Sequence, residues 1–174
     1  MWSARPGVSK KQTPTACQTL DAVLEHIRSA QRLAHTLGLK NILQPGLLKE
    51  LVIAERLGHQ VISSKHHADA CSVTNQELLY EHLSCSKGGS FQMDRVFSRP
   101  VDKRARSLER IRRDHKVYCA VFSAQEPLTL VSLHELEPVD VLAEAVRQLD
   151  ASSNDISHLS FSRRWVHQYG HQLM

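Results

Sequence analysis

Two acidic residues occur where a short hairpin could bring them together. Asp69 ends the polar segment 65–68, and Glu81 lies within the apolar run Leu78–Leu83, which is typical of a strand. Such a hairpin would place both carboxylates at one end of a sheet. Hard cations such as Mg²⁺ bind oxygen ligands, through one or two carboxylates together with phosphate. The spacing therefore predicts a Mg²⁺ centre, to which the peptide carbonyl of His82 could add a ligand.

A centre of this kind suits the hydrolysis of phosphodiester bonds. That reaction needs anionic oxygens to fix the cation, a polarised water as nucleophile, and positive charge near the developing phosphorane. Glu50 lies on a predicted helix and is a possible third acid. It is either an ordinary solvent-exposed residue or a side chain that points back toward the metal.

The composition indicates a folded domain of moderate basicity. The chain has 174 residues, 41% of them apolar, and a formal net charge of +4, which favours a polyanionic partner. Residues 1–16 are predicted to be a loose tail, and 17–174 a single domain. The four cysteines show no paired spacing. Together with the lack of a secretory signal or a membrane-spanning run, this predicts free thiols and a cytoplasmic location without membrane contact.

Hydrophobic periodicity and breaker residues predict a mixed α/β domain. Helices are expected from Thr19 to Leu37, after Pro45–Gly46 as far as Gly58, from Arg99–Pro100 through Arg113, and from Pro138 to Leu149. Strands are expected at Val61–Ile62, Leu78–Leu83, Val117–Phe122 and Leu128–Leu136. The apolar stripe of the first helix faces either the core or a dimer partner.

The order and spacing of several short pieces resemble type II restriction endonucleases of the PD-(D/E)xK superfamily. The layout is most similar to the PvuII-like branch and covers most of residues 20–170. It implies a restriction-endonuclease-like α/β core with a central mixed β-sheet flanked by helices, Mg²⁺ dependence, a homodimer, and cleavage of both strands of double-stranded DNA. The pieces are Leu37–Gly38, Gln44, Asp69–Ala70, Tyr80–Glu81 with Ser84, Lys87–Gly88, the strand 117–122, Leu136–Glu137–Pro138, Asp155–Ile156 and Trp165–Val166.

One position departs from the pattern of that family. The lysine expected two residues after the second acid is Leu83, which cannot stabilise a phosphorane or orient water. Lysine has a long stem, so a cation from a neighbouring loop could reach the same point. Lys65 and Lys87 are the preferred replacements; His82, His66 and His67 are further candidates.

Two segments fall where the resembled family reads bases. The first contains Ser90, Gln92, Asp94 and Arg95. Gln can pair with adenine, Arg with guanine, and Asp can accept from cytosine. The second contains Ser157 and His158. The structural alternatives are a glycine turn with an Asp94–Arg95 surface pair and a capped loop.

The sequence thus predicts a Mg²⁺-dependent, site-specific deoxyribonuclease. Two alternatives keep the same fold: a DNA-binding protein that does not cut, which Leu83 favours, and a structure-specific repair nuclease. A zinc site built from His66, His67, Cys71, His82 and Cys85 lacks finger spacing. A serine hydrolase is not indicated either, because the sequence has no Gly-x-Ser-x-Gly turn.

Overall fold

The computed structural model describes residues 16–63 and 68–174, and this part of the chain divides into two compact units between Ile42 and Leu43. The helices are α1 (Ala16–Thr36), α2 (Leu47–Leu57), α3 (Val101–Arg113), α4 (Pro138–Ala151) and α5 (Arg163–Tyr169). The strands are β1 (His59–Val61), β2 (Ala70–Ser72), β3 (Leu79–Ser86), β4 (Phe91–Phe97), β5 (Asp114–Phe122), β6 (Leu130–Leu136), β7 (Ile156–Phe161) and β8 (His171–Gln172).

The first unit is built on α1, which begins three residues before Thr19 and ends before Gly38. Gly38 has φ 77°, a left-handed conformation that glycine adopts without steric cost. The side chain of Gln31 accepts a hydrogen bond from the Ile42 amide at 3.1 Å and donates to the Lys40 carbonyl at 3.1 Å. These bonds fold the segment after α1 back onto the helix.

The second unit contains a six-stranded sheet in the order β1-β2-β3-β5-β6-β8. β3 and β5 are parallel, and every other neighbouring pair is antiparallel. The crossover between β3 and β5 contains β4 and α3, because parallel neighbours cannot be joined by a tight turn. The structure confirms a mixed α/β domain with a central mixed sheet flanked by helices.

Each face of the sheet is covered by a separate apolar core. Residues of β3 alternate, so that Leu83 joins the core packed under α3 and α4, whereas Tyr80 joins the core packed under α2. β5 lies in the middle and contributes Val117 to one core and Phe122 to the other. The prediction that Val117–Phe122 is a strand buried on both faces is confirmed.

A separate two-stranded sheet pairs β4 with β7. We call it the reading ribbon because it contains the two segments that the resemblance predicts to read bases. Phe91 pairs with Phe161 and Phe97 pairs with Ile156. Neither strand was expected from the sequence. In the described part of the chain, no helix has the length and apolarity needed to cross a bilayer.

Candidate active site

The start of β2 brings Asp69 beside β3. Ala70 pairs with Tyr80 in an antiparallel ladder, so the next position along the ladder sets Asp69 opposite Glu81. The amide of His82 donates a hydrogen bond to Oδ2 of Asp69 at 2.8 Å. Asp69 and Glu81 are both half-buried. The two acids identified in the sequence are therefore fixed at one edge of β3.

His82 presents its backbone and its side chain in different directions. The N–H and C=O of a strand residue point to the same side, so the carbonyl of His82 faces the side on which Asp69 lies. His82 is 4% exposed as a residue, and Nε2 of its imidazole lies 3.2 Å from Nδ1 of His59. Burial, reinforced by His59, lowers the pKa of His82 to about 3. The imidazole is therefore uncharged near neutral pH, and its replacement of the missing lysine stays a prediction.

Glu50 lies in the first turn of α2 and is half-buried. Burial, followed by the charge of Asp69, raises the pKa of Glu50 to about 7. Burial likewise raises the pKa of Asp69 to about 6, although the His82 amide opposes the shift. Burial and the charge of Asp69 hold the pKa of Glu81 well above its usual value, and Glu50 adds to this. The structure thus brings Glu50 into electrostatic contact with both acids.

Asp114 is a fourth carboxylate of this group that the sequence did not reveal. It is the first residue of β5, pairs with Leu79 of β3, and is 6% exposed. Its Oδ2 is buried and has no hydrogen-bond partner. Burial raises the pKa of Asp114 to about 7, with Asp69 contributing and Arg110 opposing. Burial of a carboxylate oxygen without a hydrogen-bond partner is costly, so this oxygen is a candidate contact for a ligand.

Arg110 of α3 supplies positive charge to the group of carboxylates. Its guanidinium opposes the raised pKa of Asp69, of Glu81 and of Asp114. The sequence offered no reason to single it out among the six lysines and arginines of the basic helix. What distinguishes it is its electrostatic effect on three of the acids, Asp69, Glu81 and Asp114.

Neither position 83 nor Lys87 brings a cation to the carboxylates. Leu83 is 4% exposed and belongs to the core under α3. Lys87 follows Ser86, the last residue of β3, which lies about 17 Å along the strand from Glu81. The structure therefore does not bring Lys87 to the carboxylates. Lys65, His66 and His67 lie outside the described residues.

The two segments expected to read bases meet in the reading ribbon. Gln92 pairs with Ser160, and Nδ1 of His158 lies 2.9 Å from Oδ1 of Asp94. At the end of the ribbon, the hydroxyl of Ser160 donates a hydrogen bond to that of Ser90 at 2.9 Å. The backbone of Ser157 pairs with Val96.

A bulge in β4 exposes two consecutive polar side chains. The pairing with β7 shifts between Met93 and Val96, and Arg95 between them has φ 58°. Met93 and Val96 are buried, whereas Asp94 and Arg95 both lie outside. Gln92, Asp94, Arg95 and His158 thus form an exposed polar surface on a two-stranded ribbon, whose other face packs into the core.

Arg110 links this ribbon to the carboxylates. Its Nη2 donates a hydrogen bond to the carbonyl of Asp94 at 3.1 Å, within the bulge. The hydroxyl of Ser107 on the same helix accepts a hydrogen bond from the Phe97 amide at 3.1 Å. α3 therefore holds both the middle and the end of β4.

The carboxylates provide the donor atoms that a hard cation prefers. The negative charges of these carboxylates raise one another's pKa values, and Arg110 opposes this only in part. A bound cation would offset their mutual repulsion. Within residues 16–63 and 68–174, however, no three His, Cys, Asp or Glu side chains are arranged as a ready metal site. Mg²⁺ usually keeps several waters and shares its ligands with phosphate, so it does not require such a cage.

Comparison of the chain with protein-family models and with curated proteins gives no match.

Proposed function

We propose that this protein is a Mg²⁺-dependent deoxyribonuclease that cuts double-stranded DNA at a short specific site, similar to type II restriction endonucleases. The observation that carries the proposal is the hydrogen bond from the His82 amide to Asp69, because it fixes Asp69 beside Glu81. Glu50 and Asp114 act electrostatically on the same pair. The restriction-endonuclease-like fold is part of the proposal and is supported by the mixed sheet that carries both acids.

Asp69, Glu81 and the carbonyl of His82 would hold the cation. When bound, it would supply Lewis-acid polarisation of water and neutralise charge on the phosphate. Water then adds to phosphorus while a bridging P–O bond breaks, which leaves a phosphate monoester and an alcohol. The raised pKa of Glu50 suits a group that accepts the proton lost by the attacking water.

The reading ribbon supports sequence-specific recognition. The major groove of B-DNA admits a two-stranded β-ribbon, and Gln, Asp and Arg pair with base edges there. Gln92, Asp94, Arg95 and His158 are all exposed on the ribbon. Their separation from the core means that they can contact DNA without unfolding of the domain.

A homodimer would cut both strands of a symmetric site. The exposed apolar side chains of α1 support this part of the proposal, because Leu20, Val23 and Leu24 are 57%, 47% and 37% exposed. Apolar residues at this spacing form a stripe that a second copy could cover.

The proposal is tested with a purified full-length chain, Mg²⁺ and a pool of plasmid and genomic DNA. Discrete fragments with defined ends are expected from the unaltered protein, and none from Asp69→Ala. Glu55→Gln is a suitable control because Glu55 is exposed on the same helix as Glu50. The proposal fails if no DNA is cut with either Mg²⁺ or Mn²⁺.

A second candidate is a sequence-specific DNA-binding protein of the same fold that does not cut. The burial of Leu83 in the core favours it, since that position offers no cation to the site. A specific gel shift in Ca²⁺ and no cleavage in Mg²⁺ or Mn²⁺ would select this candidate over the nuclease.

A further inference from the structure

A cavity of about 340 Å³ opens beside the carboxylates. Its sheet side is lined by Ala68, which precedes Asp69, and by Leu79, which pairs with Asp114. Asp114 itself also lines it, and its carboxylate has an unpaired buried oxygen. The size lies within the range of pockets that hold small organic ligands.

The helix side of the cavity is basic. It is lined by Arg106, Glu109, Arg110 and Arg113 of α3. Arg106 forms an ion pair with Asp102 at 2.8 Å, and Arg113 forms one with Glu109 at 3.4 Å. In the described part of the chain, Arg110 has no carboxylate within ion-pair distance. Its guanidinium donates to the Asp94 carbonyl instead, so it reaches the cavity without a carboxylate bound directly to it.

We propose that this cavity binds one nucleotide unit of the cleaved strand, and that Arg110 presents to its phosphate the positive charge that Leu83 cannot supply. The inference rests on the proposed function, because the nucleotide unit is part of the DNA that the nuclease would cut. Arginine binds phosphate through two parallel hydrogen bonds, which suits a guanidinium already oriented by a backbone carbonyl. The apolar surfaces of Ala68 and Leu79 fit a sugar or base, and Asp114 can accept a hydrogen bond from a base amino group.

Arg110 also connects the cavity to the reading ribbon. Because the same side chain binds the bulge of the reading ribbon and lines the cavity, a shift of the ribbon on DNA would move the guanidinium. Arg110 would therefore act both as a catalytic residue at the phosphate and as the link between recognition and cleavage. Neither Lys87 nor the buried Leu83 can make this connection.

The test uses deoxythymidine 3′,5′-bisphosphate with Ca²⁺, whose binding to the intact protein is followed by calorimetry. Arg110→Ala and Arg110→Gln should each weaken binding by about tenfold, since a charged hydrogen bond is removed. Gln keeps an N–H donor for the Asp94 carbonyl. Equal losses of affinity in the two variants would therefore show that binding depends on the charge of Arg110 and not on its hydrogen bond to the ribbon. Arg110→Lys should recover part of the affinity.

Arg112→Ala is the matched control, because Arg112 lies on the same helix, is exposed, and pairs with Glu109. It should change the affinity less than twofold. The inference is overturned if the unaltered protein does not bind the bisphosphate, or if Arg110→Ala binds it as well as Arg112→Ala does.

Cleavage assays on a DNA duplex separate this inference from the proposed function. Arg110→Ala should cut about 10²-fold more slowly, as expected for loss of one charge-stabilising donor. Arg112→Ala should cut at nearly the original rate. Bisphosphate binding through Arg110 without any DNA cleavage would refute the nuclease and keep the site. Cleavage that depends on Lys65 and not on Arg110 would keep the nuclease and refute the inference.

Discussion

The backbone amide of His82 donates a hydrogen bond to Oδ2 of Asp69 across 2.8 Å, joining two residues 13 positions apart. Asp69 is thus both a candidate cation ligand and the acceptor for a backbone donor of β3. A buried amide without a partner costs about 1–3 kcal/mol. The two roles can therefore be separated by substitutions that keep or remove the acceptor.

Asp69→Asn should keep the acceptor and lose the charge, whereas Asp69→Leu should lose both. At pH 5, we expect Asp69→Leu to be less stable than Asp69→Asn by about 1–2 kcal/mol in urea unfolding, because the His82 amide loses its partner. Both variants should fail to cut DNA. Equal stabilities would contradict the structural role of the bond.

Glu50 should make the stability of the metal-free protein depend on pH. Its pKa in the folded state is about 7, above the ordinary 4.5. The stabilisation that it contributes is therefore complete below about pH 4.5 and is lost as the pH rises through 7. Glu50→Gln has no carboxyl group to ionise, so it does not suffer this loss. The change that it causes in the free energy of unfolding should therefore be more favourable at pH 8 than at pH 5, by on the order of 2 kcal/mol.

The measurement is urea unfolding of the unaltered protein and of Glu50→Gln at both pH values, with EDTA present. Glu55→Gln, on the exposed side of the same helix, should show the same effect at pH 5 and pH 8. If Glu50→Gln behaved like Glu55→Gln, the burial of Glu50 beside Asp69 would be refuted.

The reading ribbon should control which sequences bind, with little effect on folding. Gln92→Ala should reduce discrimination at one base pair by about 1–3 kcal/mol, as for the loss of one bidentate base contact. Competition binding in Ca²⁺ against single-base variants of the site measures this. Gln125→Ala, an exposed glutamine in the turn between β5 and β6, is the control and should leave discrimination unchanged. A uniform loss over all sequences would assign Gln92 to phosphate contact instead.

The α1 stripe should control the oligomeric state. Leu20→Glu places a charge among the exposed apolar side chains of α1 and should shift a dimer toward monomer in analytical ultracentrifugation. His26→Glu adds the same charge at an exposed polar position of α1 and should leave the dimer intact. A monomer in the unaltered protein at micromolar concentration would contradict the dimer.

The sequence was most informative where burial imposes a simple pattern. The continuous apolar run Val117–Phe122 correctly predicted a central strand, and Gly58 correctly marked the end of α2, where its φ is 67°. β4 was missed because the bulge at Asp94 and Arg95 breaks the alternation of apolar residues. β7 was missed because the residues that it pairs with lie 59 to 70 positions earlier in the chain.

The candidate site was predicted only in part, because some of its residues are marked by a local pattern and others are brought in by long-range packing. Asp69 and Glu81 stand out because each is an acid beside a recognisable strand, and their proximity follows from a local hairpin. Asp114 lies between a basic helix and a strand, where an exposed acid would look the same in sequence. Arg110 resembles its basic neighbours on α3, and only packing against β4 shows which of them faces the carboxylates.

The pairing of β4 with β7 also has an evolutionary consequence. The polar residues of the reading ribbon come from two distant stretches, and Asp94 contacts His158 directly. If the ribbon reads bases as proposed, a substitution at Asp94 or His158 alone would leave the other residue of the pair without its partner. Among descendants with altered target sequences, positions 94 and 158 are expected to covary, while the sheet that carries Asp69 and Glu81 stays unchanged.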